Sequence, residues 1–198
     1  MTRVVGVLLA AGAGTRMGRP KALVIGDNGE PWVRTAARVL LDGGCDDVLV
    51  VLGAEAEQVR VHLKRLRDVV AEDWADGVAA SLRVGLAEAG DADAALVHLV
   101  DLPDVGADVV RRIIAGADDA ALARATYGGR PGHPVLMGRN HWAAVIADVT
   151  GDHGARDYLD SHDVVEIDCS DLASGRDVDR PPGETNDSAT GHGSMLDG

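Results

Sequence analysis

The chain has no phenylalanine and only three tryptophans and two tyrosines, so any core its 198 residues build is aliphatic. The apolar positions are mostly Ala, Val and Leu. With so few rings to fill space, helices must pack closely on a sheet through Ala and Gly. Cysteine is scarce too: Cys45 and Cys169 lie far apart and form no metal-type pair, which reads as two reduced thiols in a cytoplasmic protein. Basic residues are few, and 19 Lys and Arg against 32 Asp and Glu leave a formal charge of −13. That balance argues against a nucleic-acid partner, because phosphate backbones need a basic face. No apolar run approaches the ~20 residues of a membrane span. The N-terminal apolar run leads into a glycine loop instead of a cleavage site, so neither a signal peptide nor a membrane partner is expected. The length suits one domain with a substantial core.

A local absence is more telling. Residues 1–26 contain no Asp or Glu, yet carry Arg3, Arg16, Arg19 and Lys21. The apolar run Val4–Leu9 reads as a buried parallel strand, and Leu9-Ala-Ala-Gly-Ala-Gly-Thr-Arg-Met-Gly-Arg-Pro-Lys21 follows it directly. Gly12, Gly14 and Gly18 let the backbone turn sharply and approach a ligand closely. A glycine loop with local positive charge at a strand's carboxyl end suits a polyphosphate. It is not a Walker A loop, because Arg19-Pro20 stands before Lys21 where Gly would be required. Nor is it a dinucleotide fingerprint. Gly12-Ala-Gly14-Thr-Arg-Met-Gly18 is one residue too long, Pro20 opposes a helix at Arg19, and the second strand ends Val50-Val51-Leu52-Gly53 without a ribose-binding acid.

Strands and helices alternate, which predicts an α/β sheet with helices on both faces. The pattern predicts helices opening at Pro31 and stopped by Gly43-Gly44, then over Ala54–Leu66, Val78–Ala89, Val105–Ala115, Asn140–Ala147 and Ala155–Ser161. The predicted strands after the first are Val48–Leu52, Asp68–Ala71, Ala94–Val100, Ala121–Thr126, Pro134–Met137 and Val164–Asp168. A glycine- and proline-rich loop is expected between the fifth and sixth of the seven. Lys64-Arg65-Arg67 is read as a basic helix end complementing the dipole. From Pro181 the composition shifts to Pro, Gly, Ser, Thr and Asp, so a domain over 1–180 and a disordered tail over 181–198 are expected.

Leu-Ala-Ala-Gly-x-Gly-x-Arg-Met-Gly-x-x-Lys resembles the signature of nucleotidyltransferases that activate small phosphorylated molecules with a nucleoside triphosphate. Further blocks narrow the resemblance to the molybdenum cofactor cytidylyltransferase family. They are Asp73-Trp-Ala-Asp-Gly77, Ser81-Leu-Arg-Val-Gly-Leu86, Asp101-Leu-Pro103, Tyr127-Gly-Gly-Arg-Pro-Gly-His-Pro134, Gly151-Asp-His-Gly-Ala-Arg156 and Asp177-Val-Asp179. They follow the family's order over roughly residues 3–180. The resemblance implies a Rossmann-like three-layer nucleotidyltransferase fold with a mostly parallel mixed sheet. It also implies magnesium-dependent transfer of CMP from CTP to a pterin phosphate, with a recipient molybdenum hydroxylase as a further partner. Two rivals follow from the same residues: a nucleotidyltransferase for another small phosphate acceptor, and a non-catalytic chaperone of the finished cofactor.

Nucleotidyl transfer brings two anions together, so cations carry much of the work. Arg16 and Lys21 are the expected triphosphate contacts, an arginine forking onto two oxygens and a lysine acting as a compact charge. The backbone from Ala11 through Gly12, Gly14 and Thr15 can line the phosphates, and the resemblance adds Leu9 and Ala10. Asp101 ends an apolar strand, where ligands of such sheets gather, and is the expected magnesium ligand. Its rival reading, with Asp104, is a helix cap. The resemblance makes Asp179 the second ligand, with Asp177 as the alternative, although the family's Thr after this block is Arg180 here. It also offers Gly77 and Ser81 for the base edge, while Ala11, a glycine in many guanylyl relatives, would narrow the base pocket. The family's Asn before this block is replaced by Glu72-Asp73. His133 and Asp152 are the candidate acceptor contacts. A surface-turn histidine and a helix-capping Asp are their plain alternatives. His98 reads as a satisfied core histidine.

Overall fold

The computed structural model describes residues 2–178. Asp179 and the expected tail, 181–198, lie outside the described residues. Seven strands form one sheet: β1 (Val4–Leu9), β2 (Asp47–Leu52), β3 (Arg67–Val70), β4 (Ala94–Leu99), β5 (Leu122–Tyr127), β6 (Arg130–Gly138) and β7 (Val165–Asp168). Their spatial order is β3-β2-β1-β4-β6-β5-β7. The first four run parallel, β6 is antiparallel to β4 and β5, and β7 is parallel to β5. This is the mostly parallel mixed sheet implied by the sequence.

The helices α1 (Trp32–Asp42), α2 (Ala56–Arg60), α3 (Val78–Ala87), α4 (Ala107–Ile114), α5 (Arg139–Asp148) and α6 (Arg156–Asp160) connect the strands. Alternate residues of each central strand feed two cores. Leu8, Val50 and Leu96 join Leu40, Val110 and Ile113 on one face. Val7, Val51 and Val97 join Leu82, Leu86 and Trp142 on the other. Strands buried on both faces are what continuous apolar runs dictate. Close helix approach is achieved by glycine. A Cβ on Gly85 of α3 would lie 2.6 Å from Val7, and one on Gly43, after α1, would lie 2.3 Å from Val110.

Two expectations are corrected. The helix expected over Ala54–Leu66 exists only as Ala56–Arg60. Beyond it, Leu63 and Leu66 amides bond carbonyls three residues back, and Lys64 turns left-handed at φ 56°. Lys64-Arg65-Arg67 is therefore no helix end: Arg67 belongs to β3 and bonds Asp47 at 2.9 Å. The loop expected between β5 and β6 is nearly absent. Gly128 and Gly129, both at positive φ, close a tight hairpin, and β6 starts at Arg130 instead of Pro134.

Candidate active site

Leu9 and Leu99 are register partners on the parallel strands β1 and β4, so both strands deliver their C-terminal extensions to one edge. The glycine loop extends β1, and Asp101 lies just past β4. The loop folds in two short 3₁₀ turns, Thr15–Met17 and Lys21–Leu23, with Pro20 between them. Met17 and Ala22 are buried and pin the loop to the core, while Arg16 and Arg19 stay exposed. Gly14 is required for this path. Its φ is +58°, and a Cβ there would come 2.1 Å from the Arg19 carbonyl oxygen. The fold brings Lys21 across to Asp101, Nζ to Oδ2 at 2.7 Å, with side-chain exposures of only 19% and 16%.

On the β2 side, Ala10 and Ala11 continue the sheet. The Ala10 amide donates to the Val51 carbonyl, and the Ala54 amide to the Ala11 carbonyl, both at 2.9 Å. Gly53 is squeezed between Ala11 and Trp74: a Cβ there would lie 2.7 Å from the Ala11 methyl and 2.6 Å from Trp74 Cγ. Sequence alone does not mark Trp74 as a wall of the site, although it lies within the block Asp73–Gly77. Gly77 precedes α3 at φ +114°, in a place where a Cβ would strike the Gly151 carbonyl group and Asp152 Oδ1. Ser81 is buried in the first turns of α3, one turn before Gly85 and so on the helix face turned to the sheet.

On the β6 side, a cleft of about 380 Å³ opens between α3, β6 and α6, with Leu9, Leu82, Leu99, His133, Asp152 and Leu159 among its walls. Both acceptor candidates therefore share one cavity. Asp152 does not cap α6, which starts after Ala155 without a side-chain cap. Asp104 does not cap α4 either: its Oδ2 accepts from the Ser174 amide and hydroxyl, at 2.7 and 2.6 Å. Tyr127 holds the His133 segment by donating its hydroxyl to the His133 carbonyl at 2.7 Å. Burial pushes the His133 imidazole down to about 4, against the opposing pull of Asp101. His98 is pushed further, to about 3, by burial and by the neighbouring His133. His98 is a core histidine as expected, but not a satisfied one, since its Nδ1 has no hydrogen-bond partner among the described residues.

The C-terminal segment after β7 also reaches the site: the Val178 amide donates to the Asp101 carbonyl at 3.1 Å. Asp177 is exposed beside it. No group of three or more His, Cys, Asp or Glu suited to a metal occurs among the described residues. Magnesium does not require one, because it takes one or two carboxylates and completes its shell with phosphate oxygens and water. Asp101, a hard oxygen donor just past β4 and paired with Lys21, fits that demand. No helix of the described chain is long and apolar enough to cross a membrane.

The comparisons agree with this fold. Residues 6–166 match the MobA-like NTP transferase domain. The nicotine blue oxidoreductase of Paenarthrobacter nicotinovorans is 41% identical over 188 residues, 89% of this chain and 92% of that protein. The molybdenum cofactor guanylyltransferase of Rhodobacter capsulatus is 32% identical over 73% of this chain and 68% of its own length. Among solved structures, Rv0371c from Mycobacterium tuberculosis H37Rv superposes with a TM-score of 0.74 at 31% identity, covering 84% of this chain and 88% of that one. The same protein is also known as a complex with manganese. With its glycine loop, its strand-end carboxylate and its mixed seven-stranded sheet, the chain belongs to the MobA-like NTP transferase domain family and is a nucleotidyltransferase.

Proposed function

We propose that this nucleotidyltransferase moves CMP from CTP to molybdopterin, a pterin phosphate, with release of pyrophosphate. The observation that carries the reading is the Lys21–Asp101 pair, which joins a phosphate-loop cation to a strand-end carboxylate at 2.7 Å. Leu9, Ala10 and Ala11 lead the triphosphate into the loop, and Gly12, Gly14 and Thr15 expose backbone to it. Arg16 and Lys21 hold the phosphates and steady the charge that builds on the leaving pyrophosphate. Gly77 and Ser81 face the cytosine. His133 and Asp152 orient the acceptor in the cleft. His133, kept neutral by burial, is suited to hydrogen bonding there without adding charge.

Asp101 is the residue that would hold magnesium, with Asp179 as its partner in our reading. When bound, the ion would neutralise phosphate charge between donor and acceptor. Asp179 follows Val178, whose amide bonds Asp101, but itself lies outside the described residues. The nucleotidyltransferase unit is taken as residues 1–180, in a cytoplasmic protein that passes its dinucleotide product to a molybdenum hydroxylase. The deciding measurement is pyrophosphate release with CTP, GTP and ATP, each with and without molybdopterin. Release that needs both CTP and molybdopterin is expected. Release with GTP alone among the triphosphates would overturn the base assignment. Release with a sugar phosphate but not molybdopterin would overturn the acceptor.

One observation favours a second reading. The relative at 41% identity carries the name of an oxidoreductase acting on nicotine blue. Against it, the glycine loop departs from the dinucleotide fingerprint in length and in the proline before Lys21. Loss of nicotine blue absorbance with a reduced nicotinamide, and no pyrophosphate release with any triphosphate, would establish that second reading instead.

A further inference from the structure

The arginines of this acidic chain are mostly spoken for. Arg3, Arg34, Arg38, Arg60, Arg67, Arg83, Arg111, Arg112 and Arg124 all have carboxylate partners. Arg130 and Arg176, like Arg19, Arg65 and Arg156, have none among the described residues. The first two line one groove, of about 820 Å³, between the β5–β6 hairpin tip and the segment after β7. Both are exposed, so two guanidiniums on one groove of a protein of charge −13 offer an anion a pair of forks.

The groove is firmly built. The Tyr127 ring is its floor and is gripped by two glycines: a Cβ on Gly132 would lie 2.9 Å from the ring, and one on Gly175 2.1 Å. Arg112 forks onto Asp171 at 2.6 and 2.9 Å and also bonds the Asp168 carbonyl. Asp104 holds Ser174, and the Gly128 amide donates to Ser170 Oγ at 2.8 Å. The serine hydroxyls are thus used to fix the walls, and the arginines are left for a ligand. Asp177 is the one carboxylate on the rim, against two cations. Asp177, on the groove's rim, precedes Val178, whose amide bonds the Asp101 carbonyl, so the groove's end is one residue along the chain from the segment that touches Asp101. It lies on the β6-β5-β7 side of Asp101, away from the glycine loop and Gly53.

We propose that this groove is a second anion subsite, which takes the phosphate-bearing end of the acceptor and is distinct from the triphosphate loop. The proposal rests on the nucleotidyltransferase reading, in that it supplies the acceptor side of that site. Arginines fork onto phosphate oxygens, and the fixed walls spare the cost of ordering the segment on binding.

The test titrates inorganic phosphate into the full chain by calorimetry, with the glycine loop first saturated with CTP. Phosphate binding to the CTP-loaded wild type is expected. R130Q and R176Q should each weaken it about tenfold or more, with CTP affinity within twofold of wild type. R65Q, which removes a cation elsewhere on the surface, should change neither. Phosphate that binds only when CTP is absent, or that binds both groove variants as it binds wild type, would overturn the proposal. Pyrophosphate separates the two sources of phosphate. Its affinity for the CTP-free protein should be unchanged in R130Q and R176Q. A parallel loss of pyrophosphate binding would instead assign the groove to the leaving group and overturn the acceptor role. Failure of CTP binding in wild type would refute the nucleotidyltransferase reading separately, before any groove result is read.

Discussion

Replacing Asp101 with Asn keeps the side chain's size and removes its charge, so it tests the carboxylate itself. Lys21 Nζ sits 2.7 Å from Asp101 Oδ2, with both side chains about four-fifths buried. Exposed pairs contribute about 0–1 kcal/mol, and breaking a fully buried one costs about 3–5 kcal/mol. This pair lies between, so a loss of about 1–3 kcal/mol is expected, which for a domain of this size lowers Tm by roughly 2–12 °C. The variant should still melt cooperatively, because Asp101 lies beyond the end of β4 and outside both cores. Its catalytic effect should be far larger, with pyrophosphate release lost at saturating CTP and magnesium. The paired carboxylate also competes with phosphate for Lys21. In the absence of divalent metal, CTP should therefore bind the Asn variant at least as tightly as wild type, and up to about tenfold more tightly. Calorimetric titration in chelator and a coupled pyrophosphate assay read both quantities on one preparation. Near-normal turnover by the Asn variant, or loss of metal-free CTP binding alongside turnover, would refute the assignment of Asp101 to the reaction and of Lys21 to the phosphates.

Gly14→Ala places a methyl against the Arg19 carbonyl at a left-handed φ, so the loop must open. The KM for CTP should rise at least tenfold while the far-ultraviolet circular dichroism is unchanged. Ala11→Gly removes the methyl that faces Gly53, and should lower the CTP-over-GTP ratio of kcat/KM by an amount worth about 1–3 kcal/mol, without creating a pure guanylyl enzyme. His98→Leu removes an unpartnered buried Nδ1, which costs about 1–3 kcal/mol, and should raise Tm at neutral pH. The same variant tests the titration of His98. Its pKa falls from 6.5 to about 3 on folding, so below pH 6.5 the unfolded chain binds the extra proton, and stability is lost as pH drops toward 3. Denaturant melts at pH 4.5 and 7.5 should show a smaller difference for His98→Leu than for wild type.

The local rules read well wherever neighbours in sequence are neighbours in space. Apolar runs such as Val4–Leu9 and Ala94–Leu99 declared buried parallel strands, because each is covered on both faces. Gly12 to Lys21 declared a tight, cationic loop, because its turning and its charge are written in adjacent residues. Local rules failed where a long-range contact overrode them. The periodicity of 54–66 is helical, yet the chain must turn at Lys64 to feed Arg67–Val70 into the sheet beside β2. The proline-rich stretch after Tyr127 reads as a loop, yet hairpin pairing with β5 makes most of it strand. The ion pair that defines the site joins residues 80 apart, and Gly77 meets Asp152 only because α3 and the turn before α6 pack together. Likewise Arg130 and Arg176 share a groove only because the Tyr127 ring clamps hairpin and C-terminal segment together. By itself the sequence determined which groups were available: the cations of a glycine loop, a strand-end carboxylate and an aliphatic core. The tertiary structure alone decided which of them meet. Side-chain chemistry belongs to single residues and short motifs, whereas distance and burial depend on strand order, which no short stretch of sequence contains.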